Sequence, residues 1–331
     1  MRTRRFGRSG LSVPEVVFGG GWVGGVLIHP DEATRRTAFS RALDAGIDWI
    51  DTAAGYGDGE SERTLGRLLA ELPAGRRPRI STKARLDLES GEPFERQLRR
   101  SLEASLERLR LDKVTLFQLH NPLAPATGGG RIAVDAVLGR GGVADALDRL
   151  RGDGLCDLVG FTALGDGASC IRAVESGRFD SAQVYYNMLN PTAALAGRGR
   201  LTVQDFCGLL EACRRHDVAA MAIRVFAAGV LATDIRHGRE VAMTVDGGDL
   251  AGEERRAAAA LAAVGPDCGT GAQRALRFAL AEPRLSCAVI GLASPAHLEE
   301  ALAGAAMGPL PDAALAALRE VWDRDFGSTA G

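Results

Sequence analysis

The chain has 331 residues, of which 46% are hydrophobic and 25% charged, and its formal net charge is −2. Length and apolar content suit a soluble globular protein with a sizeable core, and α/β barrels of this size form one unit. The near-neutral balance gives no electrostatic basis for binding nucleic acid or an anionic membrane surface, so neither is expected as a partner.

In chain order, the first residues predict two short strands turning at Arg8-Ser9-Gly10, then a strand over residues 15–18. The run Gly19-Gly20-Gly21-Trp22-Val23-Gly24 that follows satisfies GxGxxG. As a dinucleotide fingerprint it requires a helix that opens within the glycines, so that the helix N-terminus meets a pyrophosphate. Here His29-Pro30-Asp31 punctuates the chain first and the helix spans residues 31–45, which argues against that reading.

A strand over residues 47–50 leads through Asp51 into a small-residue turn holding Tyr56, and Ser61-Glu62 predicts the N-cap of the next helix. That helix places Leu65, Leu68, Leu69 and Leu72 on one face. A strand over 79–83 ends in Lys83, and Pro93 opens a helix whose apolar face is Phe94, Leu98, Leu102, Leu106 and Leu109. The strand 114–119 ends at His120-Asn121-Pro122, and residues 123–142, glycine-rich and without periodicity, predict a surface loop. Strands then follow over 157–162, 181–186, 218–226 and 287–290. They alternate with helices over 143–151, 168–175, 203–215, 253–263 and 273–280, one from Pro295 and a last one over 312–322. Eight strands each followed by a helix, with no linker, predict a single closed (β/α)8 TIM barrel domain spanning 1–331. An N-terminal hairpin and extra C-terminal helices lie outside the repeat.

The six cysteines, Cys156, Cys170, Cys207, Cys213, Cys268 and Cys287, show no CxxC or other metal-type spacing and predict free thiols rather than a metal centre. Arg4-Arg5 is followed by Gly7, Arg8, Ser9 and Gly10 rather than an apolar region, so no export signal is expected. The most apolar stretch, 218–233, contains Arg224 and is too short to span a bilayer, and a cytoplasmic location is expected.

Four ionisable residues fall at the C-terminal ends of three successive strands: Asp51 and Tyr56, then Lys83, then His120. Singly, each has an ordinary reading as a turn cap, a solvated charge or a satisfied polar residue. Jointly they meet, because adjacent strands of a parallel barrel open into one mouth. A phenol is a poor acid at neutral pH, and a neighbouring ammonium that favours its anion eases proton transfer to a developing alkoxide. A buried ammonium requires a counter-ion, which Asp51 supplies. A neutral imidazole can donate to a carbonyl oxygen and orient it. A hydride donor completes such a set, and no protein side chain supplies one.

The segments GIDWIDTAAGYGDGESERTLGRLL, ISTK, LRLDKVTLFQLHNP, DSAQVYYN and VIGLASPAHLEE resemble the aldo-keto reductase family over nearly the whole chain. The resemblance implies a catalytic tetrad of Asp51, Tyr56, Lys83 and His120, with Tyr56 as proton donor, Lys83 and Asp51 tuning it, and His120 orienting the substrate carbonyl. It implies a nicotinamide dinucleotide held across the barrel mouth. Gly21, Trp22 and Asp51 lie near the nicotinamide, Thr162 and Gln183 at its carboxamide, and Ser294, His297 and Glu300 beside Gly291 at the adenosine end. Thr162-Ala163 stands where many relatives have Ser-Asn. Ile223-Arg224-Val225-Phe226 stands where they carry an aromatic residue and Ser-Pro-Leu, which makes Arg224 and Phe226 the cofactor contacts expected there. Family habit favours NADPH; the segment after Gly291 lacks the lysine or arginine that several relatives use for the 2′-phosphate, so NADH stays open. The implied activity is reduction of an aldehyde or ketone to an alcohol. An NAD-dependent aldose or polyol dehydrogenase working oxidatively is the alternative. A cofactor-binding regulatory protein with little turnover, like the potassium-channel β subunits that resemble this family, is a third reading.

Overall fold

A computed structural model describes residues 1–21, 23–236 and 238–327 of the chain. Eight parallel strands close into a barrel in sequence order: β1 (Val16–Gly19), β2 (Trp49–Asp51), β3 (Arg79–Ala84), β4 (Val114–Leu119), β5 (Cys156–Ala163), β6 (Ser181–Tyr185), β7 (Ala219–Ile223) and β8 (Cys287–Gly291), with β8 pairing back to β1. This is a (β/α)8 barrel. Helices α1 (Glu32–Asp44), α2 (Glu60–Ala70) and α3 (Phe94–Leu109) follow the first three strands. The leucines predicted for one face of α2 and α3 pack between barrel and helices: Leu65, Leu68, Leu69, Leu98, Leu102 and Leu109 are all nearly inaccessible. The hairpin of Thr3–Arg5 and Ser12–Pro14 lies outside the barrel. Its Phe6 and Val13 pack on Val17, Trp49, Leu116 and Met221, which plug the barrel interior.

Alternation along the strands decides which side chains reach the mouth. On β2, Trp49 faces the interior plug and Asp51, two residues on, stands above it; on β4, Leu116 and Gln118 do the same. Parallel register sets Lys83 opposite Gln118 and Asp51 opposite Ser81, so a layer of polar side chains forms at the C-terminal ends.

Four expectations change. Ser61 does not cap α2; the cap position is Gly59, with φ +80, and Ser61 lies inside the first turn, fully buried. Its hydroxyl bonds Thr52 Oγ1 at 2.9 Å and donates to the Gly20 carbonyl at 3.2 Å, tying α2 to the loops after β1 and β2. Residues 123–142 are not a plain surface loop. Leu123–Ala124 and Ile132–Ala133 pair in parallel, and α4 (Val134–Leu138) follows, with Leu123, Ile132, Val134 and Val137 buried. These pieces are too short for a periodicity to show. The helix expected over 203–215 forms only as α7 (Leu209–Arg215), after α5 (Val143–Gly152) and α6 (Gly167–Glu175), because Gly208 at φ +83 breaks the run. Strand β7 likewise stops at Ile223, since Arg224 turns to φ +59.

The later helices are α8 (Leu250–Val264), α9 (Gly271–Ala281), α10 (Pro295–Ala306) and α11 (Asp312–Asp323). Among the described residues no helix is long and apolar enough to cross a membrane. All six cysteines are free.

Candidate active site

Lys83 ends its side chain beneath the mouth, 1% exposed, and all three ammonium protons have acceptors. Nζ donates to Asp51 Oδ2 at 2.5 Å, to the Thr52 carbonyl at 2.8 Å and to Tyr56 Oη at 3.3 Å. Burial alone would depress this ammonium and is the largest single influence. The charges and hydrogen bonds of Asp51 and Tyr56 outweigh it, and Lys83 is held above its ordinary value. It is therefore a fixed cation beside the phenol.

Asp51 is fixed in turn. Its Oδ1 accepts from Ser81 Oγ at 2.8 Å, Gln183 Nε2 at 2.9 Å and Gln118 Nε2 at 3.4 Å. Ser81 and Gln118 were missed by sequence reasoning. The available signal was their alternation: Ser81 lies two residues before Lys83, and Gln118 two before His120, so both face inward.

The His120 and Tyr56 rings meet edge to face with centroids 5.9 Å apart. His120 is anchored by its own N–H to the Ala84 carbonyl at 2.8 Å. Its neighbour Asn121 is buried and clamps Leu86 through both backbone groups, which holds the β3 and β4 ends together. Burial first, then the positive charges of Lys83, Arg85 and Arg224, lower His120 to about 3. At neutral pH the ring is a neutral imidazole with one N–H to donate.

Asp51, Tyr56 and His120 line a cavity of about 490 Å³ at the C-terminal end of the barrel. Gly21, Thr162, Gln183, Arg224, Phe226, Gly291, His297 and Glu300 line the same cavity. Trp22 lies outside the described residues. Ser294 is not on the wall: it caps α10, accepting from His297 N at 3.4 Å. Glycines let the β1 loop form part of the wall, because a Cβ on Gly24 would lie 2.5 Å from Leu292 N. The glycine run is thus a close-approach loop, and α1 opens well beyond it at its Asp31 cap, as the objection to a dinucleotide fingerprint requires.

The cavity suits a nicotinamide dinucleotide in size and polarity. Thr162 Oγ1 is buried on its wall without a partner among the described residues, as a carboxamide-binding hydroxyl would be. Gln183 also lines it, with its Nε2 already donated to Asp51. At the other end, His297 Nδ1 accepts from Ala293 N at 3.4 Å and Glu300 Oε1 from Thr270 Oγ1 at 2.6 Å.

Known proteins are similar to this chain. The profile described as "Aldo/keto reductase family" matches residues 15–323. The aldo-keto reductase YhdN of Bacillus subtilis is 33% identical over 35% of this chain and 38% of its own. The D-threo-aldose 1-dehydrogenase of a Pseudomonas species is 28% identical over 68% of this chain and 69% of its own. Among solved structures, the holo form of a Bacillus halodurans aldo-keto reductase superposes over 97% of this chain and 96% of its own with TM-score 0.74, at 18% identity. The chain belongs to the aldo/keto reductase family.

Proposed function

We propose that the protein reduces an aldehyde or ketone to an alcohol with a nicotinamide dinucleotide, Tyr56 giving the proton. The observation that carries this reading is the Asp51–Lys83–Tyr56 chain of contacts, which ends at a cavity wall shared with a neutral His120. The dinucleotide, when bound, supplies a hydride to the carbonyl carbon. The His120 N–H holds the carbonyl oxygen, and the Tyr56 hydroxyl delivers its proton as negative charge grows there. Lys83 stabilises the phenolate left behind, and Asp51 with its three other donors keeps Lys83 from moving. Gly21, Thr162 and Gln183 would hold the nicotinamide end and Gly291, His297 and Glu300 the adenosine end, with NADPH the form that family habit favours.

A second reading, an aldose dehydrogenase using NAD, is favoured by Glu300. Among the described lining residues the adenosine end offers this carboxylate and no lysine or arginine. A carboxylate accepts from a ribose 2′-hydroxyl and repels a 2′-phosphate. The Pseudomonas relative's name points the same way.

The test is turnover of NADPH and NADH with aldehydes and ketones, and of both oxidised forms with alcohols and aldoses. Efficient reduction of a carbonyl supports the first reading; aldose oxidation that outruns every reduction replaces it with the second. Tight dinucleotide binding without hydride transfer to any member of the panel would overturn both in favour of a regulatory binding protein.

A further inference from the structure

Gln183 joins opposite sides of the barrel. It stands on β6 and Asp51 on β2, strands that face each other across the closed ring, yet its Nε2 donates to Asp51 Oδ1 at 2.9 Å. The side chain therefore crosses the floor of the cavity, which it lines at 2% exposure.

A primary amide has a donor end and an acceptor end, and whatever holds one end decides which of them meets a ligand. A carboxylate only accepts, so Asp51 takes the NH2 end of Gln183; reversed, two oxygens would face each other with no proton between them. The carboxylate itself cannot turn, because Lys83 holds Oδ2 while Ser81 and Gln118 also donate to Oδ1. Gln183 Oε1 receives no donor from the described residues and is not among the atoms they enclose, so it is an acceptor open to the cavity. Gln118 supplies the contrast. It too donates to Asp51, at 3.4 Å, but its Oε1 is enclosed and it is not on the cavity wall.

We propose that Asp51, besides countering Lys83, fixes the polarity of the Gln183 amide, so that the cavity floor reads the NH2 of the nicotinamide carboxamide as a donor. The assignment rests on the dinucleotide of the reductase reading and is independent of the direction of hydride transfer. Asp51 acts here as a positioning residue, through Gln183. Its negative charge also polarises the amide and makes Oε1 the better acceptor.

The experiment uses the full chain and a matched pair of oxidised dinucleotides, the nicotinamide form and its 3-acetylpyridine analogue. The analogue keeps the carbonyl and carries a methyl group in place of the NH2. Calorimetric dissociation constants should show the wild-type protein preferring the carboxamide by about tenfold, because the methyl group leaves Oε1 covered and unpaired. Gln183→Met should bring that ratio to within about twofold of one, whereas Gln118→Met, which also removes a donor from Asp51, should keep it. In Asp51→Asn, Lys83 claims the new amide oxygen and the asparagine NH2 is left facing Gln183. Gln183 then reverses, its own NH2 faces the cavity, and the ratio should fall to one or below. Should Asp51→Asn not fold, the wild-type, Gln183→Met and Gln118→Met ratios still decide. Equal wild-type binding of the pair overturns the assignment, as does a preference that survives Gln183→Met or a folded Asp51→Asn. A preference that Gln118→Met abolishes as well overturns it too, since loosening of Asp51 would then be what is read. Failure of either dinucleotide form to bind the wild type would bring down the reductase reading and this assignment together. The expected preference without any turnover would bring down the reductase reading alone.

Discussion

Lys83 Nζ lies 2.5 Å from Asp51 Oδ2, and both side chains are sealed from solvent. Removing one partner of such a pair leaves the other charge buried and uncompensated, which costs about 3–5 kcal/mol. Asp51→Asn should therefore lower the unfolding free energy by that order. Adding Lys83→Met to it should recover much of the stability, because no lone charge remains. Activity should not recover, since the phenol has lost its cation. Urea unfolding and steady-state turnover on the wild type and the two variants separate the two effects. A double variant no more stable than Asp51→Asn would show that the pair does not act as a unit.

Tyr56→Phe removes the hydroxyl and little else. Lys83 keeps its bonds to Asp51 and the Thr52 carbonyl, so the site should stay assembled. General-acid groups contribute about 10²- to 10⁴-fold, and kcat for reduction should fall within that range. Dinucleotide affinity, measured by fluorescence quenching, should change by less than about threefold, because the phenol acts on the carbonyl. Near-normal turnover would remove Tyr56 from the role of acid.

The meeting of Asp51, Tyr56, Lys83 and His120 was legible because each ends or follows a strand, and in a parallel barrel the strand count alone brings such ends together. Asp51 and Lys83 are distant in sequence, yet β2 and β3 are neighbours and register completes the contact. What supports them was less visible. Ser81 and Gln118 look like ordinary strand residues until alternation turns them inward toward Asp51. Ser61 has the look of a cap and is in fact a buried strut, a role set by where Gly20 and Thr52 arrive from elsewhere in the chain. The course of the segment after β7 was not legible, and the strand expected to run to residue 226 stops at Ile223. Its course depends on left-handed residues at Arg224, Ala227 and Ala228, a conformation for which these side chains give no signal.

His120 has a consequence for stability. In the unfolded chain an imidazole titrates near its ordinary value of about 6.5; in the folded protein it is lowered to about 3, by burial and by nearby cations. Between those limits the unfolded state binds the extra proton. Its contribution to stability is therefore complete above pH 6.5 and is lost as the pH falls toward 3, with a slope of at most about 1.4 kcal/mol per pH unit. Other groups titrate over the same range, so the measurement is the difference between wild type and His120→Gln in urea unfolding at several pH values. That difference should shift in favour of the variant as the pH drops below 6.5. A pH-independent difference would show that the ring is not held neutral.

Gly66 sets two physical effects against each other. It lies in the middle of α2, where alanine is the better helix former by about 1 kcal/mol, so propensity alone predicts that Gly66→Ala stabilises the protein. Packing predicts the reverse. The glycine meets α3 so closely that a Cβ would lie 2.1 Å from the Arg108 carbonyl oxygen, a backbone atom that cannot swing away. The same corner holds buried Glu62, which accepts from Arg108 Nε at 2.7 Å and from Thr82 Oγ1, and so ties α2 to both α3 and β3. Pushing α2 outward would stretch these bonds as well as open the leucine layer between the helices. Overpacking of this kind costs about 1–3 kcal/mol, more than the gain in propensity, and the net change should be destabilising. The shift in urea midpoint gives the sign directly, and an alanine variant more stable than wild type would mean that α2 and α3 are not in contact at Gly66.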